Sequence, residues 1–161
     1  MDIKFTRLTE VSSTAIIELM NHPLVRRQMP LLTNTFTEKD YTDFILKKEE
    51  LWSDYGYGPW AFTVQERFIG WGGLQPENTN TEIALVLHPD FWGYGNEIYK
   101  RIIDYAFNDL CLTSITLLFP TTRTNVNGLS RLGFKQESII IIEGLEFIRY
   151  RIMNRRKDTF L

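Results

Sequence analysis

Residues 82–98 put the strongest constraint on what this chain can fold into. Glu82-Ile83-Ala84-Leu85-Val86-Leu87 is a β-prone run, and His88-Pro89-Asp90 stops it. Phe91-Trp92-Gly93-Tyr94-Gly95 then leads into a segment of helical period, Asn96 to Asp109. Ile98, Ile102, Ile103, Tyr105, Ala106 and Phe107 supply its apolar flank. Ser114 to Phe119 is strongly β again, until Pro120 ends it. A strand, a helix and a strand joined this closely should lay the two strands parallel, with a right-handed crossover.

The rest of the chain must dress that unit. Ile3 to Leu8 alternates apolar and polar, as a strand does, and Glu10 through Met20 has helical spacing, with Ser12 or Ser13 able to cap it. Asn21-His22-Pro23 breaks the helix, and a short helix follows over Leu24 to Gln28. Thr37 with Asp40 is a shortened capping box for a helix running to about Ser53. That helix carries Tyr41, Phe44, Ile45, Lys48 and Trp52 on one flank. Trp60 to Gln65 and Phe68 to Leu74 alternate about a turn at Glu66-Arg67 and, with Glu82 to Leu87, form an antiparallel meander. Thr121 to Leu132 is a loop and short helix, and Phe134 to Ile142 with Phe147 to Met153 make a closing hairpin around Glu143-Gly144-Leu145-Glu146. The fold class is α+β, a mixed α/β arrangement, in one domain over residues 1–161.

Composition narrows the function. The formal net charge is -2, which offers no dominant basic surface to a phosphate backbone, so nucleic acid is disfavoured as a partner. The basic cluster Arg149, Arg151, Arg155, Arg156 and Lys157 is expected to be a solvated last strand and tail. No apolar run is long enough to span a bilayer. Cys111 is the single cysteine, so no disulfide forms within the chain, and a reducing, cytoplasmic setting fits. Its Leu110-Cys111-Leu112 context predicts a buried thiol. His22 and His88 lack metal-ligand spacing with any cysteine or acid cluster; no metal is expected, and both read as capping or structural groups. Trp60, Trp71, Tyr55 and Tyr57 read first as core and second as walls of an acceptor pocket.

The chemistry concentrates at Gly93-Tyr94-Gly95-Asn96. Glycines there are expected to adopt backbone angles closed to other residues, and the helix start would turn free N–H groups toward an anion. The third glycine of a dinucleotide fingerprint and the Gly-Lys-Ser/Thr of a nucleotide-triphosphate loop are both missing. On the motif alone, a plain glycine-rich helix entry is an equal alternative.

Three runs carry a family likeness. Glu82-Ile83-Ala84-Leu85 through Pro89-Asp90-Phe91-Trp92-Gly93-Tyr94-Gly95, Ile103-Asp104-Tyr105-Ala106-Phe107, and Leu132-Gly133-Phe134 resemble the GNAT superfamily of N-acetyltransferases, particularly its ribosomal-protein N-terminal acetyltransferase branch. Asn21-His22-Pro23 and Phe68-Ile69-Gly70 match more weakly. The resemblance implies a central mixed, mainly antiparallel sheet, splayed in the middle and flanked by helices. It implies acetyl-CoA as cosubstrate, with its pyrophosphate on the amides of Gly93, Tyr94, Gly95 and Asn96. Leu85 and Leu87 would offer backbone groups to the pantetheine arm, and Asn125 or Asn127 would contact the pantetheine or the acceptor; capping the short helix is the alternative for these asparagines.

Acetyl transfer to an amine requires removal of a proton from that amine. By resemblance Glu82 is the candidate base, against the alternative of a solvated strand-end charge, and Ser130 is the candidate acid, against a surface hydroxyl. The implied acceptor is a primary amine of a small molecule or a peptide N-terminus, and a homodimer is admitted. The alternative function is a non-catalytic acyl-CoA-binding or protein-interaction domain on the same fold. Two departures from the family pattern touch the cofactor region. Glu97 stands where relatives carry glycine or alanine, or else matches an acid that they carry slightly later, and Arg123 to Ser130 is compressed.

Overall fold

A computed structural model describes residues 2–124 and 126–155. The described chain forms a seven-stranded, mostly antiparallel sheet of order β1-β2-β3-β4-β5-β7-β6 with helices against it. The elements are β1 (Ile3–Thr6), α1 (Ser13–Asn21), α2 (Pro23–Arg26), α3 (Glu38–Tyr55), β2 (Pro59–Val64), β3 (Arg67–Glu77) and β4 (Asn80–Leu87). There follow α4 (Gly95–Asp104), β5 (Ser114–Pro120), α5 (Asn127–Leu132), β6 (Lys135–Ile142) and β7 (Leu145–Met153). Two compact units divide these residues: Met1–Gln75 with Ala84–Gly93, and Pro76–Ile83 with Tyr94–Leu161.

In the first unit β1 pairs antiparallel with β2, and β2 with β3, through registers such as Phe5↔Phe62 and Ala61↔Trp71. The turn expected at Glu66-Arg67 falls one residue earlier, at Gln65-Glu66, because both residues take positive φ (49° and 66°) and close a tight hairpin. Leu8, Ile16, Leu19, Met20, Val25, Phe36, Ala61 and Trp71 form the core, covered by Phe44, Ile45 and Tyr41 of α3. The Thr37–Asp40 box closes as expected. The Asp40 amide donates to Thr37 Oγ1 at 3.2 Å, and the Thr37 amide donates to Asp40 Oδ2 at 2.9 Å. The helix continues two residues past Ser53, to Tyr55, where Gly56 at φ 74° provides the left-handed cap. Ser12 occupies the N-cap of α1 but makes no side-chain cap bond.

Glycines 72 and 73 are required by close approach. A Cβ on Gly72 would lie 2.4 Å from the Ala84 carbonyl oxygen, and one on Gly73 would lie 2.2 Å from that of Gly58.

In the second unit β4 and β5 are parallel at Glu82↔Thr116, the pairing expected of the strand–helix–strand run. β5 pairs antiparallel with β7, and β7 with β6. Ile98, Tyr99, Ile102, Ile103 and Ala106 give the α4 run its buried face. The helical run loosens at Tyr105–Asp109 into a π-turn. Cys111 then takes φ 55° and is exposed, against the expectation of a buried thiol. The apolar run around it is a left-handed turn rather than a strand, so its side chains do not alternate into the core. The closing hairpin turns on two residues, Glu143 and Gly144 (φ 50° and 80°), not four.

The basic strand β7 is largely neutralised. Arg149 pairs with Glu77 at 2.6 Å. Arg151 pairs with Glu137 and also donates to Ser114 Oγ and Asn80 Oδ1 at 2.8 and 2.9 Å. The Arg151 hydrogen bond holds the Glu137 carboxyl below its ordinary range. Arg156 and Lys157 lie outside the described residues.

Candidate functional site

In the first unit, β4 delivers the chain to the candidate turn. The His88 amide donates to the Ile69 carbonyl at 2.8 Å, so His88, Val86 and Ala84 face their backbone polar groups toward β3. Strand alternation turns those of Leu85 and Leu87 to the opposite edge. The Leu87 carbonyl is taken, however. It accepts the Trp92 indole N–H at 2.9 Å.

The turn differs from the glycine loop expected of it. Pro89–Tyr94 is a 3-10 helix and Gly95 opens α4, so Gly93 and Gly95 have helical backbone rather than angles reserved for glycine. The physical reason lies at the start of the turn. His88 Nδ1 accepts the Asp90 amide at 3.1 Å, and the His88 carbonyl accepts the Phe91 amide at 2.8 Å, which winds the chain tightly from its first residue. Gly93 keeps a different use. A Cβ there would meet nothing within 4 Å, so its bare backbone faces open space.

His88 and His22 turn out to be neighbours. Their ring centroids are 5.1 Å apart, edge to face, and His22 Nδ1 accepts the Leu24 amide at 3.2 Å to cap α2. Both histidines therefore have the capping and structural roles expected of them. They line a cavity of about 270 Å³ with Glu18, Arg67 and Phe68. A larger cavity of about 530 Å³ is lined by the 31–36 segment and by Asp40, Asp43, Phe44, Lys47 and Lys48. No group of three His, Cys, Asp or Glu residues able to hold a metal occurs among the described residues.

In the second unit, α4 begins without a side-chain cap at Tyr94. The 3-10 helix of Pro89–Tyr94 runs directly into it, so the helical winding is continuous through the turn. The positive end of the helix favours an anion there, while the exposed carboxylate of Glu97 opposes one. The Asn96 side chain reaches α5: a Cβ on Gly128 would stand 3.1 Å from Asn96 Oδ1, so Gly128 makes room for that amide. Asn127 is exposed at the first position of α5. Val126 holds the N-cap, so Asn127 does not cap the helix by its side chain. Asn125 lies outside the described residues. Ser130 is exposed near the end of α5, and its carbonyl accepts the Gly133 amide at 3.1 Å.

Glu82 is half-buried on β4, and its charge reaches the Tyr99 phenol on α4. Burial pushes that phenol up to about 12; Arg123 pulls it down and Glu82 pushes it further up. Arg123 follows the end of β5, with its guanidinium 3.8 Å from the centre of the Phe119 ring. Burial lowers the Arg123 pKa below its ordinary value, and Tyr99 acts the other way. Tyr99 and Arg123 were not singled out from the sequence. Tyr99 sits three and four residues before Ile102 and Ile103, and that spacing alone would have placed its hydroxyl on the buried face.

Residues 3–135 match the family model described as "Acetyltransferase (GNAT) domain". Among curated proteins the chain is similar to FsC-acetyl coenzyme A-N(2)-transacetylase of Aspergillus fumigatus, at 31% identity over 37% of this chain and 31% of that protein. It is also similar to the uncharacterized N-acetyltransferase YoaA of Bacillus subtilis, at 25% identity over 45% of this chain and 42% of that protein. The matches thus span well under two-thirds of either relative's length. Among solved structures, an acetyltransferase from Agrobacterium tumefaciens superposes with a TM-score of 0.77 at 17% identity, covering 92% of this chain and 89% of that one. A spermidine N-acetyltransferase SpeG chimera from Vibrio cholerae and hSSAT superposes at 0.75 and 17% identity, covering 97% of this chain and 98% of that one. At such identities the structural likeness establishes the fold alone.

Proposed function

The chain belongs to the acetyltransferase (GNAT) domain family, and from that membership we propose that it is an acetyl-CoA-dependent N-acetyltransferase acting on a primary amine of a small molecule or of a protein N-terminus. The observation that carries this reading is the entry to α4. It has no side-chain cap, and Gly93 just before it faces open space where a Cβ would stand. A diphosphate fits such an entry, because the positive end of the helix dipole favours an anion.

Acetyl-CoA, when bound, supplies the acetyl group as an activated thioester. The amides of Tyr94, Gly95 and Asn96 would hold its pyrophosphate, and the backbone of Leu85 and Leu87 would guide the pantetheine arm. Glu82 would take the proton from the acceptor ammonium, which a carboxylate on a half-buried strand can do if the amine reaches hydrogen-bond distance. Tyr99 keeps its proton at neutral pH. With a pKa of about 12, against about 8.5 for an ordinary thiol, it would give a leaving thiolate a hydrogen bond rather than a proton. Ser130 is the remaining hydroxyl proposed for reprotonation. Because it is exposed, it would act through solvent.

Glu97 favours a second reading, a non-catalytic acyl-CoA-binding or protein-interaction domain. Its carboxylate stands in the first turn of α4 and weakens the anion site. A cytoplasmic location is part of the proposal; among the described residues no helix is long and apolar enough to cross a membrane.

The test is thermal melting with acetyl-CoA, followed by thiol release across a panel of amines and N-terminal peptides. Gly95→Glu adds a carboxylate at the helix entry and should remove the stabilisation by acetyl-CoA while the protein alone still melts cooperatively. Stabilisation without acetylation of any amine would favour the second reading. No stabilisation at all would remove both.

A further inference from the structure

The segment that follows β5 carries a half-buried positive charge. Arg123 is half-buried, and its backbone amide is tied to the Pro120 carbonyl at 3.0 Å. Its guanidinium carbon stands over the Phe119 ring at 3.8 Å from the centre, a cation–π contact, and Phe119 is itself buried. Among the described residues no carboxylate pairs with that guanidinium. Its β7 counterparts Arg149 and Arg151 each have one. A cation withdrawn from solvent without a counter-ion is costly to the fold, and the planar fork of arginine matches a carboxylate in two parallel hydrogen bonds.

Position adds a second argument. β4 and β5 run parallel at Glu82↔Thr116, so the strand that carries the candidate base lies beside the strand that leads to Arg123. Arg123 stands three residues past the last residue of β5. The phenol of Tyr99 feels the charges of both Glu82 and Arg123, so the candidate base and this cation act on one side chain.

We propose that Arg123 binds a carboxylate on the acceptor, so that the amine acetylated by this protein belongs to an amino-acid-like molecule. This rests on the N-acetyltransferase reading above. The amine would face Glu82 while the carboxylate seats against Arg123. An anionic oxygen of the coenzyme could supply the same chemistry, and the experiment separates the two sources.

Wild type, Arg123→Gln and Arg123→Lys are compared on matched acceptors, free amino acids against their carboxamides. Three readouts are used: thiol-release kinetics, calorimetry with acetyl-CoA and with dephospho-CoA, and calorimetric binding of N-acetyl amino acids and their amides to the protein saturated with CoA. Arg123→Gln should raise KM for the acids about tenfold or more and leave the amides within about twofold, the difference expected on losing a charge-assisted hydrogen bond. Arg123→Lys should recover part of the loss, and melting temperatures should show all three proteins folded. Equal use of acids and amides by wild type overturns the proposal. So does a clear fall in acetyl-CoA affinity in Arg123→Gln, which would assign the guanidinium to the coenzyme: to its 3′-phosphate if dephospho-CoA does not share the fall, and to its pyrophosphate if it does. If no amine is acetylated, the binding arm decides. Arg123-dependent selectivity for the N-acetyl acids upholds the carboxylate site while the enzyme reading falls, and its absence overturns the site as well.

Discussion

Asn21→Ala should unlatch the segment that lines the larger cavity, at a cost that can be worked out from two hydrogen bonds. The Asn21 side-chain amide mimics a strand partner. Its Nδ2 donates to the Phe36 carbonyl at 2.8 Å, and its Oδ1 accepts the Phe36 amide at 2.8 Å. Arg26 reinforces the latch by donating to Asn21 Oδ1 at 3.5 Å and to the Leu32 carbonyl at 3.2 Å. Phe36 is 6% exposed and packs edge-on against Phe44, so its backbone groups cannot simply turn to water. Removing the amide deletes two bonds and strands one donor and one acceptor, which together cost about 2–3 kcal/mol. Urea unfolding followed by tryptophan fluorescence measures it, and an unchanged m value would confirm that stability alone moved. Asn21→Asp tests the geometry. It keeps an acceptor for the Phe36 amide but sets a carboxylate oxygen against the Phe36 carbonyl, relieved in part by Arg26, so its loss should fall between wild type and alanine. A loss below about 0.5 kcal/mol for Asn21→Ala, the scale of an ordinary surface change, would refute the latch.

Glu82→Gln should lower turnover about a hundredfold or more, the low end of general-base contributions, with acetyl-CoA affinity unchanged by calorimetry; full activity at neutral pH would take Glu82 out of the mechanism. Asp40 links stability to pH. The Thr37 amide first, and its hydroxyl next, hold the Asp40 carboxyl below its unfolded value of 3.8. That contribution is therefore complete above 3.8 and fades as pH falls through the lower folded value. The stability gap between wild type and Asp40→Asn should accordingly be present at neutral pH and close in strong acid; a gap that does not vary with pH would contradict the cap.

Local sequence signals specified the elements whose stability is local. Thr37 with Asp40 identified the start of α3 because a capping box closes within four residues. The strand–helix–strand run predicted the parallel β4–β5 pair because crossover handedness leaves few other solutions. Boundaries slipped where backbone angles decided them. Gln65-Glu66 and Glu143-Gly144 form two-residue turns with positive φ, although three of those four residues are not glycine. The exposed Cys111 shows the same limit. Its apolar neighbours suggested burial, but a π-turn ending at Asp109 and a left-handed residue at position 111 set its direction.

The candidate site divides along the same line. Leu85 and Leu87 follow from strand alternation, and their outward backbone groups need nothing beyond it. The conformation of the turn does not follow from its glycines. His88 folds its ring back onto the Asp90 amide and winds the following residues into a 3-10 helix, so Gly93 matters for the side chain it lacks rather than for the angles it permits. Arg123 is hidden for a further reason. In the sequence it is one of 18 basic residues, and its neighbours Thr122 and Thr124 give no sign of burial. The pairing of Arg149 and Arg151 with Glu77 and Glu137 depends on strand register, whereas Arg123, past the end of β5, packs on Phe119 and has no carboxylate partner among the described residues. Which arginine is paired with a carboxylate is thus decided by tertiary structure. That is why a charge count of -2, although it argues against a polyanion as the main partner, says nothing about a site for a single carboxylate.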